Sequence, residues 1–344
     1  MRSRVFAPIG ATIAAVASLT GTAAPAQVTR VAPGTQKTWT ALRTADGHVD
    51  FQGIWTNATL TPFQRPTELG AKQFFTAEEA VAFEKRRIEE TNVDRPEARR
   101  AGDPGAYNQF WFDRGAHVVN TRRTSLIVDP PDGKIPPMTT DAQERLKHFR
   151  DERTRHPADG PEDRLLTERC ILFGATGPPM LPEPYNNNYQ IVQSPGYVAI
   201  LAEMNHEVRM IPLDGRPHLR PDVRQWKGDS RGRWEGDTLV VDTTGFTFNN
   251  QSRFGVSYLD GMTDQNLHVT ERFTRIDSNT IMYRATIEDP TVYTNPWTVE
   301  ISMTKRAEPL FEYACHEGNY GMSGILSGAR AEEQEAAKEP AETK

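Results

Sequence analysis

The chain has 344 residues and a formal net charge of −6, enough length for one large domain or two small ones. A negative balance repels phosphate backbones and anionic lipid, which argues against a nucleic-acid or membrane-surface partner.

The first 26 residues carry the three parts of a secretory leader. Arg2 and Arg4 form the positive region, Val5 to Leu19 is uncharged and apolar, and Ala24-Pro25-Ala26 is an A-x-A cleavage site. Pro8 and Gly10 interrupt the apolar run, which is short for a membrane span. Cleavage near Ala26 is expected, leaving residues 27–344 in the periplasm or outside the cell. No later stretch is long and apolar enough for a bilayer, so no membrane span is expected.

Residues 27–45 are polar, contain Pro33 and Gly34, and read as a flexible lead-in. Phe51 to Trp55 reads as a first strand. Thr76-Ala77-Glu78-Glu79 is a capping box, which predicts a helix to about Thr91. Arg123 to Val128 predicts a strand and Asp129-Pro130-Pro131-Asp132-Gly133 a turn. A second, largely charged helix is expected from about Thr140 to Arg155.

From Tyr189 onward short alternating runs are divided by turn signals. Strands are expected at 189–193, 197–205, 208–213, 231–234, 238–244, 267–275, 281–288, 297–304 and 310–316. Glu235-Gly236-Asp237 reads as a hairpin turn between two of them. Such a series predicts an all-β fold, an antiparallel β-barrel over residues 46–331 with helical insertions at about 76–165. A short C-terminal helix at about 321–331 and an acidic tail at 332–344 end the chain. Barrels of this size hold one small, mostly apolar ligand inside.

The strings Gly228-Asp229-Ser230-Arg231-Gly232-Arg233-Trp234-Glu235-Gly236-Asp237-Thr238-Leu239-Val240-Val241 and Tyr313-Ala314-Cys315-His316-Glu317-Gly318-Asn319-Tyr320-Gly321-Met322 resemble an uncharacterised group of exported bacterial proteins. The stretch Arg123 to Pro137 is similar to theirs as well. That resemblance implies export but names no activity. Gly53-Ile54-Trp55 is similar to the Gly-x-Trp of lipocalin-type barrels, which implies a lipocalin-like barrel.

The two cysteines, Cys170 and Cys315, are expected to form a disulfide in an exported chain. It would hold Glu168-Arg169-Cys170 against Cys315-His316-Glu317.

Strand parity sorts polar side chains into inner and outer sets. It places His206, Glu271 and Glu317 on the apolar faces of their strands, and His316 lies beside Glu317. Buried ionisable groups must be paired, bound or functional, so these four are the candidate acid–base residues. Arg209, Arg272 or Arg275 is the structural alternative, a neutralising partner for a buried glutamate. Glu203, His206, Glu207, His316 and Glu317 are also the ligand types of a divalent metal, but no metal-motif spacing is present. No other cofactor is expected, since the chain lacks a P-loop and a dinucleotide fingerprint.

Ligand contacts are expected from Tyr185, Asn187 and Tyr189, which follow a Pro-rich loop, and from Trp234. The sequence thus predicts an exported acid–base enzyme, of lyase, isomerase or hydrolase type, acting on a small aromatic or sugar-derived molecule. The competing expectation is a lipocalin-like binding protein without turnover.

Overall fold

A computed structural model describes residues 39–95, 108–247 and 266–338 of the chain. The expected leader, most of the lead-in and the end of the acidic tail lie outside the described residues.

Ten strands form one antiparallel sheet that curls into a nearly closed barrel. They are β1 (Gly53–Thr56), β2 (Ile127–Asp129), β3 (Asn188–Ser194), β4 (Tyr197–Ala202), β5 (Glu207–Pro212), β6 (Asp229–Glu235), β7 (Thr238–Thr244), β8 (His268–Arg275), β9 (Thr280–Glu288) and β10 (Trp297–Arg306). Their order around the barrel is β5-β4-β3-β1-β10-β9-β8-β7-β6, with β2 added to β10.

The seam lies between β5 and β6. Gly232 sits there because a Cβ would stand 2.5 Å from Leu213 Cδ2 and 2.8 Å from Ile211 Cγ2. A side chain would push the two edges apart. The β6–β7 hairpin turns at Gly236, whose φ of 60° is left-handed, as the Glu235-Gly236-Asp237 turn predicts.

Both expected helices form. Helix α1 (Ala77–Thr91) begins with the full Thr76/Glu79 capping box. It buries Ala80 and Phe83 against Leu60, Phe75 and Val118. Helix α2 (Thr140–Arg155) has the expected bounds and buries only Ala142 and Leu146. Helix α3 (Tyr320–Ala336) runs past the expected end, into the acidic tail.

One expected strand is absent. Residues 310–316 join no ladder, turn back at Cys315, whose N–H donates to Tyr313 O at 3.1 Å, and are mostly exposed. Strand β10 already pairs with β1 and β9 and is crossed by β2, so it offers no free edge.

The barrel interior is packed. Trp55, Tyr189, Tyr283, Phe273, Trp297 and Ile301 are all at most 1% exposed. Each such side chain contributes about 1.5–3 kcal/mol relative to exposure. Arg275 lies 5.3 Å over the Trp55 ring and donates to the backbone carbonyls of Asp50 and Ser278, closing one end.

The interior also takes in part of the chain itself. Leu172 to Leu181 are all buried. Met180 N donates to Tyr283 OH at 2.9 Å, and Tyr189 OH donates to Ala175 O at 2.8 Å. Asn57 Nδ2 donates to both Tyr189 OH and Met180 O. The Pro-rich loop therefore acts as a plug that fills part of the barrel interior.

Candidate ligand-binding cleft

Glu271 points inward as strand parity predicts and is fully buried. Its neighbours are fixed. Arg209 Nη1 stands 2.7 Å from Oε2, Arg209 Nη2 donates to Oε1 at 3.1 Å, and Tyr283 OH donates to Oε1 at 2.8 Å. The 2.7 Å contact lies outside hydrogen-bond angles and acts as a close ion pair. Burial and the charge of Glu271 push the Tyr283 hydroxyl well above its usual range. The carboxylate is thus consumed by a structural pair, as the arginine alternative anticipates.

The other candidates do not join it. His206 is exposed, on a 3-10 turn where Asn205 (φ 62°) and His206 (φ 49°) are left-handed. That turn ends β4 at Ala202 and breaks the two-residue alternation that placed His206 inward. His206 Nδ1 instead accepts the backbone N–H of Tyr313 at 3.0 Å. His316 and Glu317 are exposed on a turn, not on a strand face. Glu317 lines an open pocket of about 560 Å³ beside the disulfide.

Cys170 and Cys315 are bonded, with Cα atoms 5.7 Å apart across 145 residues. Among the described residues, no group of three His, Cys, Asp or Glu has the geometry to hold a metal ion.

The candidate ligand residues divide. Asn187 is fully buried and acts as a clamp, with Nδ2 donating to Asp113 O and Glu183 O and Oδ1 accepting from Glu183 N. Tyr189 is inside the barrel. Trp234 stacks on His48, with centroids 4.5 Å apart, and on Phe51 at 5.8 Å, packed against the core. Tyr185 lines a cavity.

That cavity is a cleft of about 760 Å³ at one end of the barrel. Its walls include Phe110 (84% exposed), Trp111 (59%) and Phe311 (66%), with Tyr185 and Tyr313 at the junction with the smaller pocket. Large apolar rings kept in water inside a concavity mark a binding surface.

The floor is polar and ordered. Glu203 is only 2% exposed and accepts from Asn186 Nδ2 at 2.7 Å, Asn188 Nδ2 at 3.1 Å and Phe311 N at 3.2 Å. Asn188 Oδ1 accepts from Arg306 Nη1 at 3.0 Å, and Arg306 also faces Asp113 at 3.4 Å. Amide, carboxylate and guanidinium groups thus alternate beneath the rings. Asp113, Glu203 and Glu312 line the cleft together with Arg306, which leaves acidic groups in excess there.

Sequence reasoning missed most of this site. Phe110 to Asp113 and Arg306 belong to no motif, although three aromatic residues in succession at 110–112 are a usable signal, and Phe311 reads only as part of the apolar face of the expected last strand. Glu203 was noted only as a metal-ligand type.

A second polar cluster runs along the outer face of β6 to β9. His218 bridges Asp229 (3.0 Å) and Asp242 (2.9 Å), and His268 bridges Asp242 (2.6 Å) and Glu288 (2.9 Å). The hydrogen bond from His268 holds Asp242 down at about 2, and the same bond raises His268. It is an ion-pair chain across four strands and opens on none of the cavities described above.

Comparison with protein-family models, curated proteins and solved structures gives no match. Among the described residues no helix is long and apolar enough to cross a membrane.

Proposed function

We propose that the protein is an exported small-ligand-binding barrel that takes a sugar-derived or hydroxylated aromatic molecule in the cleft at its end. The observation that carries this reading is the pairing of an aromatic wall with the ordered floor around Glu203. Hydroxyl groups donate and accept, which suits a floor of carboxylate, amides and guanidinium. The C–H face of a pyranose, or an aromatic ring, would lie on Trp111 or Phe311. The packed interior supports the cleft rather than the barrel lumen as the site.

Turnover of the same ligand is a second reading, favoured by Asp113 and Glu203, two of the three carboxylates that line the cleft with Glu312. Acid–base hydrolysis needs such a pair. Under this reading Asp113→Asn abolishes release of 4-nitrophenol from nitrophenyl glycosides while binding persists.

Calorimetric titration with phenyl glycosides and their free sugars tests the binding reading. Wild type should bind at least one of them, and Trp111→Ala should lose about 1–3 kcal/mol of affinity without a change in melting temperature. Equal affinity in Trp111→Ala would sink it.

A further inference from the structure

A smaller pocket of about 270 Å³ lies beyond the strip that backs the aromatic cleft. Successive residues face opposite ways across that strip. Asp113 and Tyr185 line the cleft, whereas Arg114 and Glu183 line the second pocket. Asn187 holds the two halves of the strip together, and Asp113 N donates to Pro184 O at 2.9 Å.

The second pocket has the opposite electrostatic character from the cleft. Arg114 extends over the Phe112 ring at 3.9 Å, and its Nη1 is buried without a hydrogen-bond partner. Arg87 enters the same pocket from α1. Across from them Glu183 Oε1 is also buried without a partner. Leu60, Phe63, Leu126 and Pro182 supply apolar walls. Buried polar atoms left unpaired cost about 1–3 kcal/mol each, so a native pocket that keeps two of them is arranged for something that pairs both.

We propose that this pocket binds the carboxylate of a small apolar acid, with Arg114 and Arg87 supplying the positive charge and Glu183 a further hydrogen bond. Among the described residues Arg114 faces no carboxylate, and Arg87 has only a 3.6 Å contact with the exposed Glu90, so the pair suits one incoming anion. Arginine takes a carboxylate through paired N–H groups. The four apolar walls then accept the body of the acid.

Glu183 fits the part of donor. Burial pushes its carboxyl up to about 8, against the Gly174 amide, which lowers it. At neutral pH it holds a proton to give to the ligand. Burial and the neighbouring charge of Arg87 both lower Arg114, which an anion would relieve. Tyr189 also feels the charge of Glu183, and burial holds its hydroxyl far above its usual range.

Benzoate, with benzamide as its uncharged counterpart, tests the proposal by calorimetric titration at about pH 6 and about pH 9.5. Wild type should bind benzoate and not benzamide, with affinity falling about tenfold or more at the higher pH as Glu183 ionises. Glu183→Gln keeps a donor at every pH and should flatten that profile. Arg114→Met should abolish binding. Arg87 is half exposed on α1, so Arg87→Met leaves the fold intact and should weaken benzoate several-fold. Trp111→Ala, in the cleft, should leave benzoate unchanged. Equal binding of benzamide, absence of benzoate binding, or benzoate binding that survives Arg87→Met and Arg114→Met overturns the site. A wild-type affinity that does not change with pH overturns the role of Glu183.

Discussion

The backbone N–H of Tyr313 donates to Nδ1 of His206 at 3.0 Å, tying the segment after β10 to the turn after β4. Two other ties flank it. Glu203 accepts from Phe311 N, and Cys315 is bonded to Cys170. Three contacts in five residues hold Phe311 to Cys315 as the outer wall of the cleft. Nδ1 must be unprotonated to accept, so His206 here is a fastener rather than a proton donor at that nitrogen.

Replacing His206 by Phe should therefore leave the barrel folded and loosen the wall. The lost hydrogen bond is worth about 0.5–1.5 kcal/mol. Limited proteolysis should cut near residues 311–315 sooner than in wild type. An unchanged cleavage pattern contradicts the fastening role.

The disulfide closes a long loop and constrains the unfolded chain. Its removal in Cys170→Ala/Cys315→Ala should lower unfolding free energy by about 2–5 kcal/mol in urea titrations. Ligand affinity at the cleft should fall as well. A double variant with the wild-type urea midpoint would count against this account of the wall.

Arg209→Met strands the Glu271 carboxylate with only Tyr283 for company. Breaking a buried pair in this way costs about 3–5 kcal/mol. Arg209→Met/Glu271→Met removes both charges and should recover most of that loss. Thermal melts of the two variants decide it. If the single variant is as stable as wild type, the pair does not hold the barrel interior.

The contrast between Glu271 and His206 shows where the sequence is legible. Strand β8 is regular, so Val269, Glu271, Phe273 and Arg275 all turn inward as alternation requires. Even the arginine alternative was readable there, because Arg209 lies on an equally regular strand. At His206 two left-handed residues break the alternation, and nothing in Glu203-Met204-Asn205-His206 announces a 3-10 turn except Asn205. Glu317 failed for a different reason. Its segment alternates like a strand but finds no edge to pair with, a tertiary fact outside local pattern. The cleft draws on residues 110–113, 185, 186, 188, 203, 306 and 311–313, which only the fold brings together. The plug was hidden similarly: Gly174 to Leu181 reads as a loop, and its burial depends on Tyr283 and Asn57 far away in the chain.

The outer-face chain through Asp242 gives a pH dependence whose sign can be worked out. His268 is raised by its bond to Asp242, so its stabilisation is complete below the unfolded histidine value and is lost as pH rises through the raised one. Asp242 is depressed to about 2, so its stabilisation is present above the ordinary aspartate value and is lost as pH falls toward about 2. Stability should peak between about pH 4 and about pH 6.5. Both groups are partly exposed, so the effect is modest and should shrink in salt. His268→Gln should remove the decline on the alkaline side of the melting profile. A wild-type profile flat from about pH 5 to about pH 8 contradicts the assignment.

Under the proposed function, ligand binds in the aromatic cleft and not in the barrel. A melting-temperature screen of phenyl glycosides and free sugars on three proteins tests it most directly: wild type, Trp111→Ala, and Arg209→Met/Glu271→Met. The cleft account predicts a ligand-induced rise in wild type and in the interior double variant, and none in Trp111→Ala. A rise that survives in Trp111→Ala and disappears in the interior double variant would contradict it.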